Sequence, residues 1–219
     1  MSTINQTSHA QTSQMAFNYE PHPELAQPIR KQELGEGITE INHQISTDTD
    51  FQKSKNKYAQ ENQGMKLVYP NQMGMAKKLM TLMLTSAVVL ISLVAPMQAG
   101  KTGVLIALAY LAKKKQQFEY ENIVVLSGLI DNDWCDQTRS RFHYLSKDIT
   151  VIHSARKKVN GIPVIDFLKG LKNSLIFIDE CHIGSKSASQ LGDMLLKSGL
   201  LHYENVYSKN IRIVQVSAT

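Results

Sequence analysis

Two short stretches carry residue types at spacings suited to phosphate chemistry. The first, Ala95-Pro-Met-Gln-Ala-Gly-Lys-Thr102, fits G-x-x-x-x-G-K-[ST] except that alanine stands at the first glycine position. A turn of this kind between a strand and a helix curls successive backbone N–H groups toward phosphate oxygens, and glycine at position 100 permits the close approach. The following helix presents its positive amino end to the same anion. Pro96, Met97, Gln98, Ala99 and Gly100 would form the cradle. The Lys101 ammonium would reach the β and γ phosphates of ATP, and the Thr102 hydroxyl would ligate Mg2+.

The second stretch is Leu175-Ile-Phe-Ile-Asp-Glu-Cys-His182, four apolar residues running into two carboxylates in the form of a Walker B strand. Asp179 at the strand's end would hold Mg2+ through water, and Glu180 would orient or deprotonate an attacking water. Taken singly, each stretch has an ordinary alternative: a strand-to-helix loop, or a strand ending in a solvated acidic turn. Both in order, each on a predicted strand end, point to nucleotide binding with ATP and Mg2+ as cofactors, because α/β sheets bind ligands outside the carboxyl ends of their strands.

The elements that must position these residues alternate. A buried strand is predicted over 87–94, then a helix from Thr102 to about Gln116 and a strand at 122–127. A helix near 133–145, a strand at 150–153 and a helix at 163–171 opening on proline follow. The remaining elements are a strand at 175–179, a helix at 187–199 and a last strand at 211–217. Such alternation predicts an α/β fold with a mainly parallel central sheet flanked by helices. Residues 79–97 lack any charge for 19 positions, long enough for a membrane span. The β-branched run Val88–Val94, leading directly into the phosphate-type loop, favours a helix ending near Ser86 followed by a strand, and hence no membrane.

The 219 residues suit one good-sized domain. Residues 1–62 hold 17 apolar residues and carry five bases and eight acids, net −3; the remainder carries nineteen and eleven, net +8. The first segment is expected to be a mostly disordered tail with a short helix somewhere between Glu24 and Ile45, and the basic part to be the folded domain. Two cysteines without metal-ligand spacing suit a reducing, intracellular compartment. Cys181 reads as inert and His153 as structural.

Asp179-Glu-Cys-His182 resembles the DExH box of superfamily 2 helicases, Ser217-Ala-Thr219 resembles their motif III, and Ala95-x-x-x-x-Gly-Lys-Thr is similar to their motif I, where alanine commonly opens the loop. Tyr69-Pro-Asn-Gln72 is similar to a Q-motif, whose glutamine reads the adenine edge; its local alternative is a plain helix start. Val124 to Thr138 stands in the place of motif Ia, and its Ser127-Gly128 turn and Trp134-x-x-Gln-Thr resemble the DEAD/SNF2-like helicases of large DNA viruses and phages. The resemblance covers roughly residues 65–219 and implies a first RecA-like domain of the P-loop NTPase type. It further implies hydrolysis coupled to a DNA or RNA strand, and location in the cytoplasm, at a viral replication site or in a virion. Ser127 and Gly128 would touch a strand phosphate, while Ser217 and Thr219 would relay nucleotide state; His182 would couple the γ-phosphate to motif III. Trp134 reads as a packing anchor. Lys113–Lys115 close a helix, whereas Arg139, Arg141 and Arg156–Lys158 are candidates for a phosphate-tracking groove.

The family places a second RecA-like domain, with an arginine finger, after motif III, so this chain is expected to be an N-terminal portion with little activity alone. The alternatives are a terminase-like packaging ATPase and a non-catalytic fragment that binds nucleic acid or a protein partner.

Overall fold

The computed structural model describes residues 48–85, 88–96, 100–114, 120–127, 132–144, 149–153, 158–179 and 190–218. In chain order the elements are α1 (Thr49–Glu61), α2 (Pro70–Thr85), β1 (Leu90–Ala95), α3 (Lys101–Lys114), β2 (Asn122–Ser127), α4 (Asn132–His143) and β3 (Ile149–Ile152). They continue with β4 (Lys158–Val159), β5 (Ile162–Pro163), α5 (Val164–Gly170), β6 (Ser174–Asp179), α6 (Gln190–Ser198), α7 (Tyr203–Ser208) and β7 (Ile211–Ala218).

Five strands make one parallel sheet in the order β1-β7-β6-β2-β3. From β1 the chain skips over two places to β2 and moves outward to β3; it then turns back to β6 and β7. Because right-handed crossovers tie helix side to direction of travel, that reversal sends α3 and α4 to one face and α5, α6 and α7 to the other. The two cores follow. On one face Leu105, Leu108, Cys135 and Phe142 pack on Ile123, Val125, Phe177 and Val214. On the other, Leu168, Met194, Leu195 and Val206 pack on Val124, Leu126, Ile176 and Ile213. Side chains alternate across a strand, so a strand covered on both faces must be apolar throughout its interior, as Ile123–Leu126 of β2 and Leu175–Ile178 of β6 are.

The same logic explains α3, in which every residue from Val104 to Ala112 is buried. A helix that is apolar all round needs cover all round. The sheet supplies one side, and α1 and α2 supply the rest through Phe51, Tyr58, Met73, Met80 and Met83. Phe51 of α1 stacks on Tyr110 of α3 with centroids 4.3 Å apart, and Tyr58 meets Tyr144 edge-on at 5.0 Å. Asp48 caps α1 by accepting from the N–H groups of Asp50 and Phe51, and its second oxygen accepts from the Tyr110 hydroxyl. Residues 48–61, expected in the polar tail, therefore form a capped helix bound to the domain; few apolar residues suffice because they fall on one face. The helix expected between Glu24 and Ile45 lies outside the described residues.

The strand leading into the loop departs from expectation in another way. β1 pairs only with β7 among the described strands, and its residues alternate between half-buried and exposed, Val94 being 59% exposed. Its apolar run therefore does not reflect burial on both faces. The uncharged stretch 79–97 divides between α2 and β1, and no helix among the described residues is long and apolar enough to cross a membrane.

The amino-terminal edge of the sheet is closed by asparagines in left-handed conformation, which their short polar side chains tolerate. Asn173 and Asn210 (φ 43° and 51°) precede β6 and β7, and the Asn210 amide donates to Asn173 Oδ1. The opposite, carboxyl edge is where the candidate residues collect.

Candidate functional site

At the end of β1 the chain passes through Pro96 and re-emerges at Gly100, whose φ of +76° suits a residue without a Cβ. Lys101 is the first residue of α3, and Thr102 beside it is half-buried. The Lys101 ammonium folds back over the end of the strand, donating to the carbonyls of Ala95 at 3.3 Å and Pro96 at 3.1 Å. A cation thus stands beside the amino end of a 14-residue helix, whose first N–H groups have no partner within the helix. Met97, Gln98 and Ala99 lie outside the described residues.

Gln72 reaches this loop from α2. It is 7% exposed and occupies the third position of a helix that opens on Pro70. Its Oε1 accepts from the N–H of Tyr69 at 2.8 Å, the reach-back half of a capping box, and its Nε2 donates to the Gly100 carbonyl at 3.0 Å. The plain-helix-start reading of Gln72 is therefore realised, and the same amide also reaches the loop. Between α1 and the segment that leads into α2 runs an open groove of about 480 Å³ whose lining includes Phe51, Lys55, Leu67, Tyr69, Pro70 and Met73.

The acidic strand ends on the same edge. Asp179, 8% exposed, closes β6, and strand pairing sets it beside Ser127, the buried last residue of β2. β7 runs between β6 and β1: Ile178 pairs with Gln215, and Ser217 pairs with Val94, one residue before the end of β1. Asp179 and the Lys101 loop are thus separated by two strand spacings, or about 10 Å across the sheet. The helices that follow in sequence pack on opposite faces of the sheet, α3 in one core and α6 in the other, the arrangement in which α/β sheets receive ligands beyond their strand ends. Ser127, Asp179, Ser217 and Lys101 are the predicted site residues that this edge collects, with Thr102 and Gln72 behind the loop. Gly128, Glu180, Cys181, His182 and Thr219 lie outside the described residues.

Among the described residues, the candidate basic residues Arg139, Arg141 and Lys158 do not share one face of the sheet. Arg139 is on α4 and pairs with Asp136 at 2.7 Å, and Arg141 is on the same helix. Lys158 sits on the β4–β5 hairpin near α5, on the opposite face of the sheet. Arg156 and Lys157 lie outside the described residues. Trp134 is partly buried against the α3–α4 core, as a packing anchor should be.

Sequence reasoning missed the buried pair Cys135 and His153, whose Sγ and Nδ1 lie 2.7 Å apart and join α4 to the end of β3. Their separation of 18 residues carries no local signal. It also missed the steric coupling of Gln72 to glycine: a Cβ on Gly103 would lie 2.1 Å from Gln72 Oε1, and one on Gly100 2.2 Å from Nε2.

The carboxyl edge of the sheet collects a cation, a helix amino end, a hydroxyl and a buried carboxylate. Thr102 and Asp179 offer hard oxygen donors of the kind Mg2+ prefers. Comparison with protein-family models and with characterised proteins finds no match to this chain.

Proposed function

We propose that the chain is an ATP- and Mg2+-binding domain of the RecA-like P-loop class, from a nucleic-acid-dependent helicase or translocase resembling superfamily 2. The observation that carries the reading is the shared edge: a glycine–lysine–threonine turn entering a long helix, and a strand-terminal aspartate two places away on the same carboxyl edge of the sheet. An arriving triphosphate would replace the two carbonyls that hold the Lys101 ammonium, exchanging neutral acceptors for charged ones. Mg2+ held by Thr102 and Asp179 would offset charge developing on the transferred phosphoryl group. Glu180 would orient the water, and His182 would contact the γ-phosphate side.

Ser217 supports the coupling half of the proposal. It is the next-to-last residue of β7, the strand between β1 and β6, so a change in nucleotide state would be felt next to it. Ser127 and Gly128, at the end of β2, would meet a DNA or RNA phosphate, and a second RecA-like domain would complete the cleft. ATP binding by the wild-type chain, abolished or reduced at least tenfold in Lys101→Ala, tests the reading; equal affinity for both proteins refutes it.

A further inference from the structure

From the Gln72 contacts we infer that this residue is a positioning strut for the phosphate loop, so that its contribution to ligand binding is independent of the base. The inference rests on the nucleotide-site reading above and specifies how that site is held.

Gln72 has two donors and an acceptor oxygen, and two strong contacts go to backbone. The arrangement admits one orientation of the amide: Tyr69 N–H requires the oxygen and the Gly100 carbonyl requires the nitrogen. The side chain is 93% covered, which leaves its free face little access to a ligand. It also touches the positions where Gly100 and Gly103 would carry a Cβ, so it fills the space against the first turn of α3 that two glycines leave open. Gly100 lies immediately before Lys101, and Gly103 immediately after Thr102. The amide therefore bonds the backbone just before the lysine and packs against it just after the threonine, and fixing that backbone before binding removes an ordering cost that every triphosphate would otherwise meet.

Two substitutions separate this role from helix capping. Gln72→Glu keeps an oxygen for Tyr69 N–H but turns a second oxygen toward the Gly100 carbonyl. Gln72→Met keeps the length, without charge, and loses both contacts. Affinities of wild type and both variants for Mg-ATP, Mg-GTP and Mg-tripolyphosphate are measured alongside thermal unfolding. We expect both variants to lose about three- to tenfold for all three ligands alike, the net worth of one hydrogen bond. Gln72→Glu should lower the melting temperature at least as much as Gln72→Met, because it buries a carboxylate against a carbonyl oxygen. Loss confined to ATP, with GTP and tripolyphosphate unchanged, would overturn the strut in favour of a base reader. Unchanged affinity in both variants would overturn it outright. Failure of the underlying site reading is seen separately, as wild type and Lys101→Ala binding tripolyphosphate equally.

Discussion

Ser127 and Asp179 stand side by side at the carboxyl ends of two neighbouring parallel strands, both buried, one bearing a hydroxyl and the other a carboxylate. Two polar side chains ending two otherwise apolar strands mark where the sheet stops serving the core. A buried carboxylate is costly unless the site provides for its charge, and a cation is one natural provider. Replacing Asp179 by Asn keeps the shape and removes the charge. The expected outcome is a loss of the Mg2+-dependent part of ATP affinity, by about tenfold or more, with metal-free binding little changed. Calorimetry with and without Mg2+ measures it.

Gly103→Ala tests the crowding behind the loop. The new methyl would meet the Gln72 amide at a distance no van der Waals contact allows, so either the amide or the first turn of α3 must move. The expected cost is about 1–3 kcal/mol of stability, typical of an overpacked site. Combining Gly103→Ala with Gln72→Ala should recover part of it. Denaturant unfolding of the single and double variants gives the coupling.

Tyr110 and Asp48 tie α1 to the domain, and the hydrogen bond runs to a charged acceptor. Tyr110→Phe keeps the stacking with Phe51 and removes the bond. It should cost about 1.5–3 kcal/mol and free α1 before the rest of the domain unfolds. Hydrogen exchange of the 49–61 amides, compared with those of β6, reads both effects.

Alkaline pH should weaken the fold through Tyr120. Burial pushes its hydroxyl up from 10.0 to about 12, with Arg212 pulling the other way. The unfolded chain then releases a proton between those values that the folded chain retains, so stability is intact below pH 10 and falls as the pH rises toward 12. The Tyr120 share should be on the order of 2 kcal/mol and should be removed in Tyr120→Phe, while Tyr110, also pushed up by burial and by Asp48, contributes a share of its own that stays. Unfolding curves across that range check it.

Much of this architecture was legible because its strands obey simple patterning. The stretches 122–127 and 175–179 read as strands from the alternation, and they are, with Ile123–Leu126 and Leu175–Ile178 buried. Gly100-Lys-Thr102 and Asp179 were placed on strand and helix ends by the same alternation, and the sheet brings those ends to one edge. The order of the strands was not legible, since nothing in the sequence of β7 announces that it inserts between β1 and β6. α1 was missed because its polar composition hides an apolar face defined by Phe51 and Tyr58, whose partners Tyr110 and Tyr144 are distant in sequence. The apolar run of β1 misled for the opposite reason: Val94 is apolar and exposed. The β4–β5 hairpin carries an Asn160-Gly161 turn with φ of 50° and 82°, a recognisable hairpin signal in a stretch too short to show strand periodicity.

The central claim is that Lys101 and Asp179 serve one triphosphate. Titration of wild type, Lys101→Ala, Asp179→Asn and the double variant with Mg-ATP tests it most directly. If both residues act on one ligand, each single change weakens binding at least tenfold, and the double variant loses less than the product of the two effects, since neighbouring contacts are not additive. Wild-type affinity in either single variant, or losses that simply multiply, would contradict a shared site.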